Sequence, residues 1–198
     1  MARTRANDYE DKQRSILESA AAVFAEHGMD KASMSLIAKR CDISKPLLYH
    51  YYESKDALIF DIVRTHLAEL DEALEAADRP EVKPEERLRI LIHEVLENYR
   101  DADNQHKVQL NIAGTLPDAL AAEIQSIERR IVKRFSSVLK EIDPRLDADR
   151  PLAMPATMSL FGMLNWVYLW FRDDGPISRD EYADMVTRLF LGGLKSIA

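Results

Sequence analysis

Apolar residues recur every three or four positions along most of the chain, which is the spacing of one face of an α-helix. The two-residue alternation of a half-buried β-strand is not convincing anywhere. The pattern therefore predicts an all-α fold of about nine helices. The first helix is expected over about 9–27. The second, third and fourth are expected to begin after N-caps at Ser33, Ser44 and Ser54, and the fifth to end at about Tyr99. The last four are expected over about 105–113, 117–142, 151–171 and 179–196.

Two of the predicted helices are short and lie close together, within residues 33–53. Ser33 is the predicted N-cap of the first, and residues 41–43 form a tight turn after it. Ser44 is the predicted N-cap of the second, and Pro46 lies in its first turn, where a missing N–H costs little. Two such helices joined by a short turn make a helix-turn-helix, whose second helix lies in the major groove of DNA. Many other domains contain a similar pair, so the pattern alone leaves the function open.

The residues of this unit are more specific than its pattern. Residues 44–58 read SKPLLYHYYESKDAL, and residues 33–38 read SMSLIA after a glycine at Gly28. The long segment resembles the TetR family, in which a Ser-Lys start, an aromatic cluster and a Ser-Lys-acid-x-Leu opening of the fourth helix recur. The shorter one is similar to the family's second helix, and Gly28 to the glycine after its first. The resemblance is close over about 10–63, whereas the rest matches only in helix number and length.

The resemblance implies a DNA-binding domain over residues 1–53 and an effector-binding and dimerisation domain over 54–198. Lys45 is expected in the first turn of the recognition helix, within reach of a phosphate or a guanine edge. The aromatic residues that follow can bond phosphate oxygens while packing on sugars, and the family implies a phosphate contact at Lys55. A basic segment at the N-terminus forms either a groove-following arm or a disordered tail. The predicted DNA-binding residues are Arg3, Arg5, Ser35, Ser44, Lys45, Pro46, Leu47, Tyr49, His50, Tyr51 and Lys55.

The chain departs from many relatives at two points of this unit. Asp42 stands in the turn where a glycine is common, and aspartate tolerates the left-handed conformation better than most residues do. Pro46 and Leu47 stand where small or hydroxyl residues are common, and Leu47 can contact a thymine methyl. These positions are expected to set the operator sequence. Tyr52 is predicted to lie in the core, since the family usually has phenylalanine there.

The eighth predicted helix is apolar nearly all round, which predicts burial on several sides. TetR relatives are dimers joined mainly by their last two long helices, here about 151–171 and 179–196. The resemblance thus implies a homodimer, whose two recognition helices read the half-sites of a near-palindrome. The alternative is that the eighth helix is the central helix of a monomeric core.

The family also implies an effector pocket among helices four to eight. Polar side chains at helical spacing among apolar ones can orient a ligand in a mostly apolar cavity, although core packing is an alternative role for each of them. The segment around 163–175 and the recognition helix are similar to regulators of fatty-acid and phenylacetate breakdown, which suggests an acyl- or aryl-CoA effector. The predicted effector-binding residues are His66, His93, Tyr99, His106, Leu110, Asn111, Phe135, Asn165, Trp166 and Trp170.

The net charge of −7 argues at first against a nucleic-acid partner. However, residues 1–60 hold nine Lys and Arg and nine Asp and Glu, so the excess of acid lies entirely in the rest of the chain. A neutral domain can bind DNA when its basic residues share a face, because phosphate contacts are local. The charge therefore permits a DNA-binding domain.

Other classes of function find little support in the sequence. There is no phosphate-binding glycine loop, no His-Glu-x-x-His and no nucleophile elbow, and the five histidines lack metal-ligand spacing. We therefore expect no enzyme, no cofactor and no metal. The single cysteine, Cys41, suits a cytoplasmic protein, and no apolar run approaches the roughly 18 residues of a membrane helix. The rival interpretation is a helical adaptor that binds a protein partner. Activation in place of repression, and binding in place of release by the effector, stay open.

Overall fold

The computed structural model describes residues 2–147 and 151–196, and side chains from residue 9 onward within those ranges. Those residues form nine α-helices, two short 3-10 turns at Pro144–Asp147 and Val167–Leu169, and no β-strand, which confirms the predicted all-α fold. No helix of this part of the chain is both long enough and apolar enough to cross a membrane. The helices are α1 (Ala2–His27), α2 (Met34–Arg40), α3 (Lys45–Tyr51), α4 (Lys55–Ala77), α5 (Pro84–Asn98), α6 (Asp103–Leu110), α7 (Asp118–Ile142), α8 (Ala153–Asn165) and α9 (Arg179–Leu194).

Three helix boundaries differ from the prediction by three residues or more. Helix α1 begins at Ala2 and not near Tyr9, because residues 2–8 have no apolar stripe that periodicity could detect. Helix α6 ends at Leu110 and not near residue 113, because Asn111 N bonds Val108 O at 3.0 Å, three residues back, so the helical bonding pattern stops there. Helix α8 ends at Asn165, six residues earlier than expected. A run of aromatic and β-branched residues follows it, and such residues disfavour the α-helix, so the chain continues as a 3-10 turn.

The chain forms two compact units. The first contains the residues up to Leu67 together with Ala102–Ile124, and the second contains Ala68–Asp101 and the residues from Gln125 onward. The chain passes from one unit to the other within α4, between α5 and α6, and within α7. Helix α6 therefore belongs to the same unit as α1, α2 and α3, and it packs against α1.

The core of the first unit comes from the apolar stripes that the sequence predicts. Ile16 and Phe24 of α1 and Leu58 and Ile62 of α4 are buried, as is Leu48 of α3. Burial of each such side chain contributes roughly 1.5–3 kcal/mol relative to exposure. This core fixes the short helices α2 and α3 on the longer α1 and α4.

In the second unit, α9 packs mainly against α5 and also contacts α8. Phe135 of α7 packs edge-on against Phe161 of α8, with ring centroids 5.0 Å apart. A capping box opens α9: Ser178 Oγ accepts from Glu181 N at 3.2 Å, and Ser178 N donates to Glu181 Oε2 at 2.7 Å. These contacts make the last two helices part of one apolar core.

A network of charged side chains joins the end of α4 to α5 and α7 within the second unit. Arg87 donates from Nε and Nη2 to the two carboxylate oxygens of Asp78, at 2.5 and 3.0 Å, and from Nη1 to Glu141 at 2.9 Å. Arg134 Nη1 donates to the same Asp78 Oδ2 at 3.3 Å. The side chains of Asp78 and Arg87 are only 10% and 12% exposed, so each is a costly group to leave without its counter-charge.

Candidate nucleic-acid interface

The predicted helix-turn-helix is present, and its caps are those expected from the sequence. Ser33 Oγ accepts from Leu36 N at 3.2 Å, and Ser44 Oγ accepts from Leu47 N at 3.3 Å. In the turn between α2 and α3, Asp42 has a φ of +51°, the left-handed conformation that its position in the sequence predicts. The two serine caps and the turn together fix where α3 begins.

Helix α3 is anchored on one side and exposed on the other. Leu48 is completely buried, whereas the residues on the opposite side are exposed to solvent. The Lys45 ammonium lies 5.9 Å from the centre of the Tyr49 ring, so a positive charge and a phenol share one surface. The exposed residues of α3 are Lys45, Pro46, Leu47, Tyr49 and His50.

The residue that follows α3 locks the helix into the core. Tyr52 is 5% exposed, as predicted, and its hydroxyl donates to Asp61 Oδ2 of α4 at 2.7 Å. Gln13 Nε2 of α1 donates to the same hydroxyl at 3.1 Å, and Arg64 donates to the other oxygen of Asp61 at 2.6 Å. Burial and the neighbouring carboxylate raise the pKa of Tyr52 above its ordinary value. Tyr52 is therefore a neutral hydrogen-bond donor that ties α3 to α1 and α4.

Three aromatic rings join the end of α3 to the N-terminal half of α1. Tyr51 stacks on Tyr9 with ring centroids 4.7 Å apart and an interplanar angle of 22°. His50 contacts the edge of Tyr51 at 5.9 Å. Tyr51 is thus half-buried and held by its neighbours, whereas His50 faces solvent.

Two lysines hold backbone carbonyls at the end of α1 and in the loop after it. Lys55 Nζ, at the start of α4, donates to Met29 O at 2.8 Å, and Lys107 Nζ of α6 donates to Ala25 O at 2.7 Å. An ammonium has three donors, so the bond to Met29 is compatible with the phosphate contact predicted for Lys55. The role of Lys107 was missed by the sequence interpretation, since nothing in a helical pattern shows which carbonyl a lysine reaches.

The remaining predicted DNA-binding residues lie at the edges of this surface. Ser35 is exposed in the first turn of α2, and Ser44 is exposed while its hydroxyl caps α3. Arg3 and Arg5 lie in the first two turns of α1, and their side chains are outside the described ones. The helical start of α1 replaces the extended or disordered segment that the sequence suggested.

Comparison with known protein families identifies the family of this helix-turn-helix. Residues 16–62 match the family model described as bacterial regulatory proteins, tetR family, and residues 81–194 match tetracyclin repressor-like, C-terminal domain. The chain belongs to the TetR family of transcriptional regulators. The resemblance seen in residues 10–63 is confirmed, and the C-terminal match extends it over the second half of the chain. A TetR-family regulator is not an enzyme, as the sequence predicts.

Solved and curated relatives of this TetR-family chain agree with the assignment. A TetR-family regulator from Bordetella parapertussis is 33% identical, with a TM-score of 0.86, over 94% of this chain and 97% of that one. AibR, solved in complex with isovaleryl coenzyme A and operator DNA, is 26% identical, with a TM-score of 0.78, over 91% and 98%. The transcriptional repressor KstR2 of Mycobacterium tuberculosis is 25% identical over 201 residues, 96% of each chain.

Some of the residues predicted to bind an effector in this TetR-family chain lie in the first unit. His66 and His106 are both buried, with ring centroids 5.8 Å apart. Burial, and secondarily His106, lowers the pKa of His66 to about 3, so His66 is neutral near pH 7. Leu110 ends α6, and Asn111 is exposed and donates from Nδ2 to Lys107 O at 2.7 Å. A cleft of about 290 Å³ between α1 and α6 includes Lys107 and Asn111 in its lining but neither histidine.

The other predicted effector residues lie in the second unit, in different surroundings. Tyr99 is buried and donates to Asn165 Oδ1 at 3.1 Å, and Phe135 packs in the core. His93 lies at the surface between two carboxylates, with Nδ1 3.2 Å from Asp180 and Nε2 2.9 Å from Asp184. Trp166 and Trp170 are 58% and 52% exposed. Among the described residues, no three His, Cys, Asp or Glu side chains are arranged to hold a metal ion.

Proposed function

We propose that this protein is a ligand-responsive transcriptional repressor that acts in the cytoplasm and binds an inverted-repeat operator as a homodimer through α3. The observation that carries the proposal is the surface of α3: a buried Leu48 and a buried Tyr52 fix the helix, and Lys45, Tyr49 and His50 face solvent. Those groups suit phosphate oxygens and base edges. We assign DNA binding to residues 1–53 and effector binding and dimerisation to residues 54–198.

The homodimer is supported by exposed apolar residues on α8 and α9. They recur at helical spacing, so each helix carries an exposed apolar stripe, and exposed apolar patches of this kind mark interfaces. Glycines continue both stripes, and a Cβ added at any of them would meet nothing within 4 Å. The exposed residues are Met154, Met158, Gly162 and Trp166 from α8 and its end, and Met185, Leu189, Gly192 and Gly193 from α9.

Leu189→Glu is expected to convert the dimer to a monomer. Leu189 is 62% exposed, so the carboxylate costs the single chain little, but two of them in a two-fold interface would be desolvated side by side. Sedimentation velocity should give half the wild-type mass. Ala122→Glu, an equally drastic change at an exposed site of α7, should leave the dimer intact. A dimer that survives Leu189→Glu at micromolar concentration would contradict this interface.

For the effector we propose an acyl- or aryl-CoA thioester. The support is the likeness to AibR, whose solved complex contains isovaleryl coenzyme A. A ligand changes DNA binding only if it prefers one arrangement of the protein, and we propose that it prefers the arrangement that does not bind the operator. Helix α4 begins at the DNA-binding residues and continues into the second unit, so it offers a continuous path for the change.

A selection of bound duplexes from a random-sequence DNA pool tests this function. An enriched inverted repeat with half-sites about one helical turn apart is expected for a dimer of recognition helices. A panel of CoA thioesters is then added to the selected duplex, and one of them should weaken binding. Tighter binding with a thioester would point to effector-dependent binding, and no effect from the whole panel would exclude this effector class. If the folded protein, purified free of bound small molecules, enriches no sequence, the adaptor interpretation replaces the regulator.

A further inference from the structure

Helix α3 is a short helix with little apolar packing of its own. Within the described part of the chain it buries one of its seven side chains, that of Leu48. Apolar packing is not directional, so this contact holds α3 against the core but does not by itself fix the angle of the helix. Tyr52 follows α3 directly, and its N–H donates to Leu48 O at 2.9 Å, so Tyr52 moves with the helix. The contacts of Tyr52 can therefore set that angle.

The Tyr52 hydroxyl makes a directional contact with α4. It donates to Asp61 Oδ2 at 2.7 Å, and hydrogen bonds weaken steeply when their angle changes. Asp61 is itself buried, and Arg64 of the same helix donates to its other oxygen at 2.6 Å, so the acceptor is held in one place. Gln13 of α1 donates to the hydroxyl and to Asp61 Oδ2, at 3.1 and 3.2 Å. The bond between Tyr52 and Asp61 thus fixes the end of α3 relative to α4.

We propose that Tyr52 is a positioning residue whose buried hydroxyl determines how specifically the protein reads its operator. Reading base edges requires hydrogen bonds of the correct length and angle, whereas binding to phosphates depends mainly on charge. A change in the angle of α3 therefore lowers the affinity for the operator and spares the affinity for unrelated DNA. The inference rests on the proposed DNA-binding function and goes beyond it, because the sequence predicts only core packing for this residue.

Tyr52→Phe tests the role of the hydroxyl, because it keeps the ring in the core and leaves Asp61 with its bonds to Gln13 and Arg64. Affinities are measured for the selected inverted repeat and for an unrelated duplex of the same length. A hydrogen bond to a charged group shifts an equilibrium by roughly ten- to a hundredfold, so the ratio of the two affinities should fall at least about tenfold. The affinity for the unrelated duplex should keep its wild-type value. A loss of folded protein would instead lower both affinities together and leave their ratio unchanged.

Two further variants show whether this one bond is responsible. Gln13→Met is the matched control, because it removes two bonds of the same network and leaves the bond between Tyr52 and Asp61 in place. Its affinity ratio should equal that of the wild type. Asp61→Ala breaks the bond from the side of α4 and should reproduce the fall in the ratio. Combined with Tyr52→Phe, it should lower the ratio no further.

The outcomes separate this inference from the proposed function. A wild-type ratio in folded Tyr52→Phe overturns it, as does an equal fall in Gln13→Met or a further fall in the double variant. In each of these cases the wild type still binds its inverted repeat, so the proposed function stands. A wild type that enriches no sequence overturns both. If Tyr52→Phe does not fold, the ratio measured for Asp61→Ala decides in the same way.

Discussion

Replacing Lys45 and Tyr49 together by alanine is expected to weaken operator binding by at least 100-fold without changing the fold. Both side chains are exposed on α3 and contact each other only at 5.9 Å, so their removal should alter the free energy of unfolding by about 0.5 kcal/mol or less. A well-placed base or phosphate contact is worth about 1–3 kcal/mol, and the dimer loses each one twice. Fluorescence anisotropy with the selected duplex gives the affinity, and thermal unfolding by circular dichroism gives the stability.

Two further variants make this result specific. Lys133→Ala removes an exposed lysine of the second unit and should leave the affinity unchanged, which shows that net charge alone is not responsible. Leu48→Ala removes the buried anchor of α3 and should cost about 2–5 kcal/mol of stability, so its loss of binding comes with unfolding. Operator binding that survives the loss of Lys45 and Tyr49 would mean that α3 does not read the DNA.

Local structure was predictable from the sequence where neighbouring residues decide it. The caps at Ser33, Ser44 and Ser178 each involve residues three positions apart, and the left-handed Asp42 follows from the tight turn around it. The start of α1 was not predictable, because residues 2–8 include good helix formers but no apolar stripe. A hydrophobic pattern indicates which face of a helix is buried. It does not indicate how far the helix extends beyond the residues that pack in the core.

Contacts between residues far apart in the sequence could not be predicted from the sequence pattern. The bonds from Lys55 to Met29 and from Lys107 to Ala25 join residues 26 and 82 positions apart, and no local spacing encodes them. The apolar run of 161–171 predicted burial, yet Trp166 and Trp170 are exposed in the single chain. An apolar pattern does not say whether its partner is the same chain or a second copy. The predicted effector residues were chosen one by one, and a helical pattern does not show which helices pack together. These residues divide between the two units.

Asp78→Asn is expected to lower the free energy of unfolding at pH 7 by about 3 kcal/mol, because it leaves nearly buried guanidinium groups without their main counter-charge. Arg87 binds both carboxylate oxygens of Asp78, and Arg134 shares one of them. Glu141 still faces Arg87 but is 48% exposed, so it compensates only in part. Urea unfolding at one fixed protein concentration measures the difference, which keeps any dimerisation equal in both proteins.

The pH dependence of that difference tests its electrostatic origin. The hydrogen bonds from Arg87 are the main reason why the pKa of Asp78 lies below its ordinary value of 3.8. A carboxyl whose pKa is lower in the folded state stabilises the fold above its unfolded pKa, and the contribution is lost as the pH falls through the folded value. The gap between wild type and Asp78→Asn should thus be equal at pH 7 and 5.5 and shrink below about pH 4. Asp147→Asn removes an exposed partner of Lys140 and should cost less than about 1 kcal/mol at any of these pH values. A gap for Asp78→Asn that is as small as this control, or that widens in acid, would show that the network does not hold α4, α5 and α7 together through charge.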